Sequence, residues 1–196
     1  MLVMLNRDQL KTGSKPAPGE LALVQALVNT LDLEANTDDV GDPVVLKAWL
    51  VRFGLLGGSA AVAERDWQMM MALRESLRQA LMLNNGETLG EPVLDRLNHV
   101  VSQFQITVAF RSDGRADITQ NSTGIAGAAG QLLVIVAQAI MDGSWTRLKV
   151  CSSSSCRWAF YDSSKNQSGR WCTMSVCGSR LKARQYRKRR SQKSVQ

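Results

Sequence analysis

The chain has 196 residues, 44% of them hydrophobic, which suffices for one medium-sized domain with a small appendage and excludes a disordered chain. The formal net charge is +7, but residues 147–196 hold 13 of the 24 basic residues and one of the 17 acidic residues, so this segment carries +12 and the remainder −5. Such asymmetry excludes an evenly charged surface and indicates a basic interaction surface for DNA, RNA, an anionic membrane or an acidic protein.

The N-terminal segment, residues 1–19, is predicted to be flexible. Its start turns polar after five apolar residues, which are too few for the apolar core of a secretory signal. Residues 11–19 are rich in Gly, Pro and Lys, a composition typical of loops. We therefore expect a cytoplasmic protein.

Residues 20–146 are predicted to form a helical domain. Asp42 and Pro43 mark the start of one helix, because Asp is a favoured N-cap and Pro suits the first helical position. Gly54 is suited to end this helix. Three further segments show apolar residues at helical spacing: 21–33, 59–83 and 92–101.

One small β-hairpin is predicted within this domain, near residues 104–119. Its first half is rich in β-branched and aromatic residues, and the turn signal Ser112-Asp113-Gly114 precedes the second half. An apolar stretch follows over 125–141. It is interrupted by Gly and Gln and is shorter than the roughly 20 residues of a bilayer span, so we interpret it as a buried helix.

All four cysteines fall within a short C-terminal stretch, with the spacing Cys151-x4-Cys156-x15-Cys172-x4-Cys177. Two close pairs separated by a loop are typical of a tetrahedral zinc site, in which each pair forms a knuckle. The segment between them holds too few large apolar residues for an independent core without a metal or disulfides. The spacing therefore predicts that these four cysteines bind Zn²⁺.

Disulfide bonds and unrelated buried thiols are the alternatives to zinc. A disulfide framework disagrees with the lack of a signal sequence, and a redox dithiol would require Cys-x-x-Cys. Four thiolates leave no open coordination position, so we expect a structural metal. Because the single histidine, His99, has no catalytic partner in the sequence, we also expect that the protein is not an enzyme.

The residues around the cysteines follow a recognisable pattern. Residues 156–166 read Cys-Arg-Trp-Ala-Phe-Tyr-Asp-Ser-Ser-Lys-Asn, and residues 170–180 read Arg-Trp-Cys-Thr-Met-Ser-Val-Cys-Gly-Ser-Arg. This pattern resembles the CGNR zinc-finger family, specifically over 147–190 and loosely over the preceding helical domain. Ser179 stands where the family has Asn. The resemblance implies a DNA-binding zinc finger, a regulatory helical domain and a role in transcription regulation.

A basic helix is predicted to begin near Ser179, followed by a disordered tail over 191–196. The helical part contains no helix breaker and no acidic residue. Arg can bond phosphates or guanine edges bidentately, whereas Lys supplies mainly a point charge. The candidate nucleic-acid contacts are Lys165, Arg170, Arg180, Lys182, Arg184, Arg187, Lys188, Arg189 and Arg190. A solvated basic tail without a specific partner is the alternative interpretation.

Together these features predict a mainly α (α+β) protein, with a helical domain and a four-cysteine zinc module over 147–190. Our first hypothesis is a transcription regulator that binds double-stranded DNA in the cytoplasm, at the nucleoid. Its helical domain would sense a small-molecule effector or form a homodimer. The second hypothesis is an RNA-binding or protein-interaction adaptor on the same scaffold. RNA binding would use exposed aromatic side chains, which we instead expect in the core: Trp158, Phe160, Tyr161 and Trp171.

Overall fold

The computed structural model describes residue 13, residues 15–180 and residue 183. Five α-helices carry most of the regular structure in this part of the chain: α1 (Leu21–Val28), α2 (Pro43–Arg52), α3 (Glu64–Leu83), α4 (Glu91–Ser102) and α5 (Gly124–Met141). Six short strands form three antiparallel pairs: β1 (Leu31–Asp32) with β2 (Thr37–Asp38), β3 (Thr107–Phe110) with β4 (Ala116–Thr119), and β5 (Leu148–Val150) with β6 (Ala159–Tyr161). The predicted mainly helical α+β class is therefore confirmed.

Helix α1 lies at the centre of the core. All eight of its residues are buried, and α1, α3 and α5 contact one another. Leu27, Met70 and Leu132, one from each of these helices, have no exposed surface. Burying a side chain of this size contributes about 1.5–3 kcal/mol, so this three-helix contact is a main source of stability.

Helix α5 is the apolar stretch of the sequence. By length and composition alone its 18 residues could cross a membrane, but 56% of the helix is buried inside the protein. Its buried residues include Ile125, Leu132 and Ala139, which belong to the main core. The interpretation as a buried helix agrees with this packing.

Helix α2 begins where its cap was predicted. The carboxylate of Asp42 accepts the backbone N–H groups of Val44 at 2.8 Å and Val45 at 3.0 Å, and Pro43 is the first helical residue. A cap of this kind contributes about 1 kcal/mol. The helix ends before Phe53, whose ring packs against Trp49 at a centroid distance of 4.8 Å.

Two helices are shorter than predicted. The helix expected over 21–33 ends at Val28, because the chain turns into β1, which pairs with β2. The helix expected over 59–83 begins at Glu64, where the carboxylate of Asp66 accepts the N–H of the N-cap residue. Apolar spacing continues beyond both true ends, so periodicity alone cannot locate them.

The strands β5 and β6 belong to the same core as the helices. Leu148, Val150 and Ala159 have no exposed surface and pack into the main hydrophobic cluster. The pair was not predicted from the sequence. It anchors the C-terminal module to the helical domain, because the hydrophobic core of the helices extends into these two strands.

Candidate metal centre and nucleic-acid interface

The first knuckle is a tight turn that directly follows β5. The N–H of Cys151 donates to the carbonyl of Trp158 at 2.9 Å, which extends the pairing of β5 with β6. The N–H groups of Cys156 and Arg157 both donate to the carbonyl of Ser153 at 3.0 Å. Arg157 adopts a left-handed φ of 48°, and this conformation returns the chain to β6.

The second knuckle is a π-helical turn over Met174–Gly178. The N–H groups of Cys177 and Gly178 both donate to the carbonyl of Thr173, at 3.1 and 3.3 Å. The hydroxyl of Ser179 donates to the carbonyl of Met174 at 3.3 Å. The residue that replaces the family's Asn therefore satisfies a carbonyl of the knuckle, which is a structural role that a small polar side chain can fill.

The two knuckles bring all four thiols together, with their Sγ atoms within 4.8 Å of one another. The Sγ of Cys172 lies 3.7 Å from the Sγ atoms of both Cys156 and Cys177. A tetrahedral zinc with Zn–S bonds of about 2.3 Å holds its sulfur atoms about 3.8 Å apart, whereas a disulfide requires about 2 Å. The cluster therefore fits Zn²⁺ and forms no disulfide.

Burial makes the cluster a poor place for thiolates without a cation. Cys151, Cys156 and Cys177 are buried, and Cys172 is half-buried. Without metal, hydrogen bonds from the thiols of Cys156 and Cys172 lower the pKa of Cys151, so one thiolate is favoured. Burial and the neighbouring thiolates raise the pKa of Cys177, and the hydrogen bond to Cys151 raises the pKa of Cys156. A divalent cation allows all four thiolates to coexist.

Two tryptophans cover the metal centre. Trp158 and Trp171 are half-buried and pack against the cysteines. Lys15 donates from Nζ to the carbonyl of Trp171 at 2.8 Å, and its ammonium lies 4.8 Å from the centroid of the Phe160 ring. Part of the segment predicted as flexible, 1–19, is thus tied to the module at Lys15, while residues 1–12 and 14 lie outside the described residues.

A buried ion pair organises the loop between the knuckles. Lys149 on β5 contacts Oδ2 of Asp162 at 3.0 Å, and both side chains are about 5% exposed. The other oxygen of Asp162 accepts the hydroxyl of Ser164 at 2.6 Å, and Oδ2 also accepts the N–H of Gly169 at 2.7 Å. Burial opposes ionisation of Asp162, but the hydrogen bonds from Ser164, Lys149 and Gly169 outweigh it and hold its pKa below the usual range.

Two polar residues, Gln25 in α1 and Asn29 directly after it, attach the zinc module to the helical domain. The side chain of Asn29 accepts the N–H of Ala159 at 2.7 Å and donates to its carbonyl at 3.0 Å. Gln25 donates to the same carbonyl at 3.0 Å. Both side chains have no exposed surface. Ala159 of β6 is therefore held by buried side chains at the C-terminal end of α1.

Helix α3 contributes a second set of polar contacts to the module. Buried Arg78 donates to the carbonyl of Val28 at 2.6 Å and to that of Arg157, in the first knuckle, at 3.1 Å. At the end of the helix, Asn84 donates to the carbonyls of Trp145 and Leu148, each at 2.8 Å. The position of the metal centre relative to the helices is thus fixed by several buried hydrogen bonds.

Three of the candidate nucleic-acid contacts lie among the described residues. Lys165 and Arg170 are exposed on the loop between the knuckles. Arg180 is exposed immediately after the second knuckle and forms an ion pair with Glu34, in the turn between β1 and β2. The remaining predicted contacts lie outside the described residues: Lys182, Arg184, Arg187, Lys188, Arg189 and Arg190.

A closed four-cysteine metal centre docked on a helical core defines a zinc-finger protein with an N-terminal helical domain. Residues 147–190 match the model of the CGNR zinc finger. Residues 21–142 match the ABATE model, described as "Putative stress-induced transcription regulator". Since this match covers more than half of the chain, the chain belongs to the ABATE family. A search of curated proteins finds no significant match.

Several residues that position the site were not predicted from the sequence. Gln25 is a polar residue in the apolar helix α1, and Asn29 directly follows that helix, so the contrast with their apolar neighbours was the available signal. Lys149 lies among apolar strand residues, and Asp162 is the single acid of the basic segment 147–196. A charged residue that contrasts with its surroundings in this way indicates a buried partner, but the sequence does not identify which one.

Proposed function

We propose that the protein is a DNA-binding transcription regulator, in which a structural zinc centre orients a basic helix against double-stranded DNA. Zinc binding by the four cysteines and membership of a regulator family support the proposal. The metal would organise the knuckles and take no part in catalysis, because its four thiolate ligands close the coordination sphere. The proposal assigns no enzymatic activity and places the protein with DNA in the cytoplasm.

One observation carries the proposal: the basic segment presents no acidic side chain to solvent. Residues 147–196 contain 13 basic residues and one acidic residue, Asp162. Asp162 is only 4% exposed and is neutralised by Lys149. Phosphate groups approaching this segment therefore meet positive charge without a competing carboxylate from the same segment, which favours association with a polyanion.

The point at which the basic sequence leaves the zinc module supports duplex DNA as the partner. Arg180 follows the zinc ligand Cys177 by three residues, so the metal centre fixes where the basic sequence leaves the module. A helix held in this way can lie in a major groove, where Arg reads guanine edges and phosphates. Exposed Lys165 and Arg170, on the loop held by Asp162, add candidate phosphate contacts.

The aromatic residues of the module favour duplex DNA over single-stranded RNA. Stacking on RNA bases requires exposed aromatic faces. Phe160 is 1% exposed, and Trp158, Tyr161 and Trp171 are half-buried. An RNA-binding adaptor is therefore the second candidate, and the experiment below includes RNA as a competitor.

The proposal also includes effector binding by the helical domain. A groove of about 460 Å³ lies beside α2 and is lined in part by Trp49, Phe53 and Thr30. Thr30 accepts a hydrogen bond from buried Arg74 and follows Asn29, which holds β6 of the zinc module. A ligand in this groove would contact Thr30, the residue next to Asn29, and could thereby change the position of the metal centre.

The proposal is tested by selecting bound sequences from a random duplex DNA pool at several salt concentrations. The wild type is compared with Cys172→Ser, which removes a zinc ligand, and with Ser175→Ala, an exposed residue of the same knuckle. We expect the wild type and Ser175→Ala to enrich the same sequences, and Cys172→Ser to lose both zinc and enrichment.

Two results would contradict the proposal. The first is equal binding to all duplex sequences at every salt concentration. The second is more effective competition by structured RNA than by the selected duplex, which would favour the adaptor. Zinc content and far-ultraviolet circular dichroism, measured on all three proteins, separate loss of the metal centre from unfolding of the helical domain.

A further inference from the structure

The β3–β4 hairpin carries an unusual exposed surface. All four residues of β3 are exposed, including Val108 at 61% and Phe110 at 83%. In the described part of the chain, β4 is the only strand paired with β3. Exposed apolar strands with a free edge promote association, and natural proteins usually protect them with charged residues or Pro. Thr107–Phe110 contains neither.

The register of the hairpin shows which backbone groups face the free edge. Thr107 pairs with Thr119 and Phe110 with Ala116, and the N–H of Arg111 donates to the carbonyl of Arg115. Since hydrogen-bonded and non-hydrogen-bonded pairs alternate along an antiparallel ladder, Val108 and Phe110 occupy non-hydrogen-bonded positions. Their N–H and C=O groups therefore point away from β4, towards the free edge.

The charges of the hairpin cancel within it. Arg111 forms an ion pair with Asp117, and Arg115 forms one with Asp113. The hairpin is thus a neutral, apolar surface on a domain that otherwise carries excess negative charge, since residues 1–146 hold the −5 described above. A neutral surface suits a copy of itself better than it suits a charged partner, because no charge on either side requires a counterion.

We propose that β3 pairs antiparallel with β3 of a second copy of this chain, forming a homodimer through a four-stranded sheet. Around a two-fold axis at Ala109, the outward N–H and C=O groups of Val108 meet those of Phe110 from the second copy. The side chains of both residues then lie on one face of the joined sheet, where they cover each other. This inference is independent of DNA binding.

The size of this interface determines how tightly the two copies are expected to bind each other. Two short edges and their apolar side chains fall in the class of small interfaces, below about 1,200 Å², which are weak or transient unless other contacts add to them. We therefore expect a reversible monomer–dimer equilibrium that shifts with protein concentration. A two-fold dimer would also present two zinc modules, which matches the two-fold symmetry of many operator sites.

The dimer is tested by sedimentation velocity over a hundredfold range of concentration, using the full chain with zinc bound. Phe110→Glu places like charges near the two-fold axis, and Val108→Pro removes an N–H that faces the free edge without removing a bond to β4. Val44→Glu is the control, because Val44 is similarly exposed, at 76%, but lies on α2. Circular dichroism confirms that each variant retains its helices.

We expect the wild type and Val44→Glu to dimerise with rising concentration. Both hairpin variants should remain monomeric at concentrations at which the wild type is mostly dimeric. The proposal is overturned if the wild type stays monomeric throughout, or if its dimer survives both hairpin substitutions. It is also overturned if Val44→Glu dissociates the dimer while the hairpin variants do not, which would assign the interface to α2.

Discussion

Glu34 and Arg180 join the regulator-family domain to the residue that follows the second zinc knuckle, through an exposed ion pair. Glu34 lies in the turn between β1 and β2, and Arg180 follows the second zinc knuckle. Under the proposed function, a DNA phosphate has to displace this carboxylate before it can bind Arg180. The helical domain would thereby reduce the positive charge available at the proposed DNA-binding end.

We predict that the Glu34→Gln variant binds DNA more tightly, by at most about fivefold, because an exposed ion pair is weak and its removal frees Arg180 for a phosphate. Fluorescence anisotropy with a selected duplex at fixed salt measures the change. Glu91→Gln removes the same charge from an exposed position on α4 and serves as the control. Equal affinity gains in both variants would assign the effect to overall charge and contradict a specific role for Glu34.

Zinc removal is predicted to destabilise the helical domain as well as the finger. Leu148, Val150 and Ala159 of the finger strands are completely buried in the common core. Structural zinc supplies on the order of 10–16 kcal/mol of apparent binding energy in zinc-finger peptides. We therefore expect a chelator to lower the Tm of the whole protein, as measured by calorimetry, and added Zn²⁺ to restore it.

A separate unfolding transition of the finger would contradict this prediction. If the finger were an independent unit, the chelated protein would keep the main unfolding transition at its original temperature and lose only a smaller separate one. Metal content, measured on the same samples, shows whether the chelator has removed the ion.

The Lys149–Asp162 ion pair is predicted to be a large single contribution to folding. Asp162→Asn leaves the buried ammonium of Lys149 without its counter-charge, so we expect a loss of about 3–5 kcal/mol in the free energy of unfolding. Asp113→Asn, at an exposed turn, should change it little. Gly169→Ala should also destabilise, since its Cβ would lie 2.8 Å from the Asp162 carboxylate. Urea denaturation at neutral pH measures all three.

The same ion pair predicts a pH dependence. The pKa of Asp162 is lower in the folded protein than in the unfolded chain, where it is about 4. The ionised carboxylate therefore stabilises the folded state at pH values above about 4. That contribution is lost as the pH falls towards the folded pKa. Below pH 4, the free-energy difference between wild type and Asp162→Asn should therefore shrink. A difference that stays constant down to the lowest pH at which the protein folds would contradict this assignment.

Asn29 is predicted to couple the zinc module to α1. Asn29→Ala would leave the buried N–H of Ala159 without its acceptor, at a cost of about 1–3 kcal/mol. Hydrogen exchange should increase in β5 and β6 more than in α2. Asn98→Ala, at an exposed position on α4, provides the matched control. Uniformly faster exchange across the whole protein would indicate global destabilisation and would contradict a local coupling role.

Local features of the sequence predicted much of this structure. The cap at Asp42, the hairpin turn at Ser112-Asp113-Gly114 and the cysteine spacing each depend on residues close together in the chain. Their geometry follows from short-range preferences, so the sequence could reveal them. The ends of the helices were harder to predict, because the apolar spacing continues into segments that pair as strands or remain irregular.

The contacts that position the metal centre could not be read in the same way. Asn29 and Ala159 are 130 residues apart, and nothing near either residue specifies the other. The same holds for Arg78 and the carbonyl of Arg157, which are 79 residues apart. A buried polar group must have a partner, but only the assembled fold determines which one is within reach.

The shared core of the finger strands and helices has a consequence for how this protein can be recombined. Many zinc fingers fold as independent units and can be moved from one protein to another. In this protein, a fragment that begins at residue 147 would expose the apolar side chains of β5 and β6 to solvent. The remaining helical domain would expose the apolar side chains that these strands cover. Chimeras in which only the finger is exchanged should therefore aggregate. Fusions that keep the finger together with α1 and α3 retain the helices against which its strands pack.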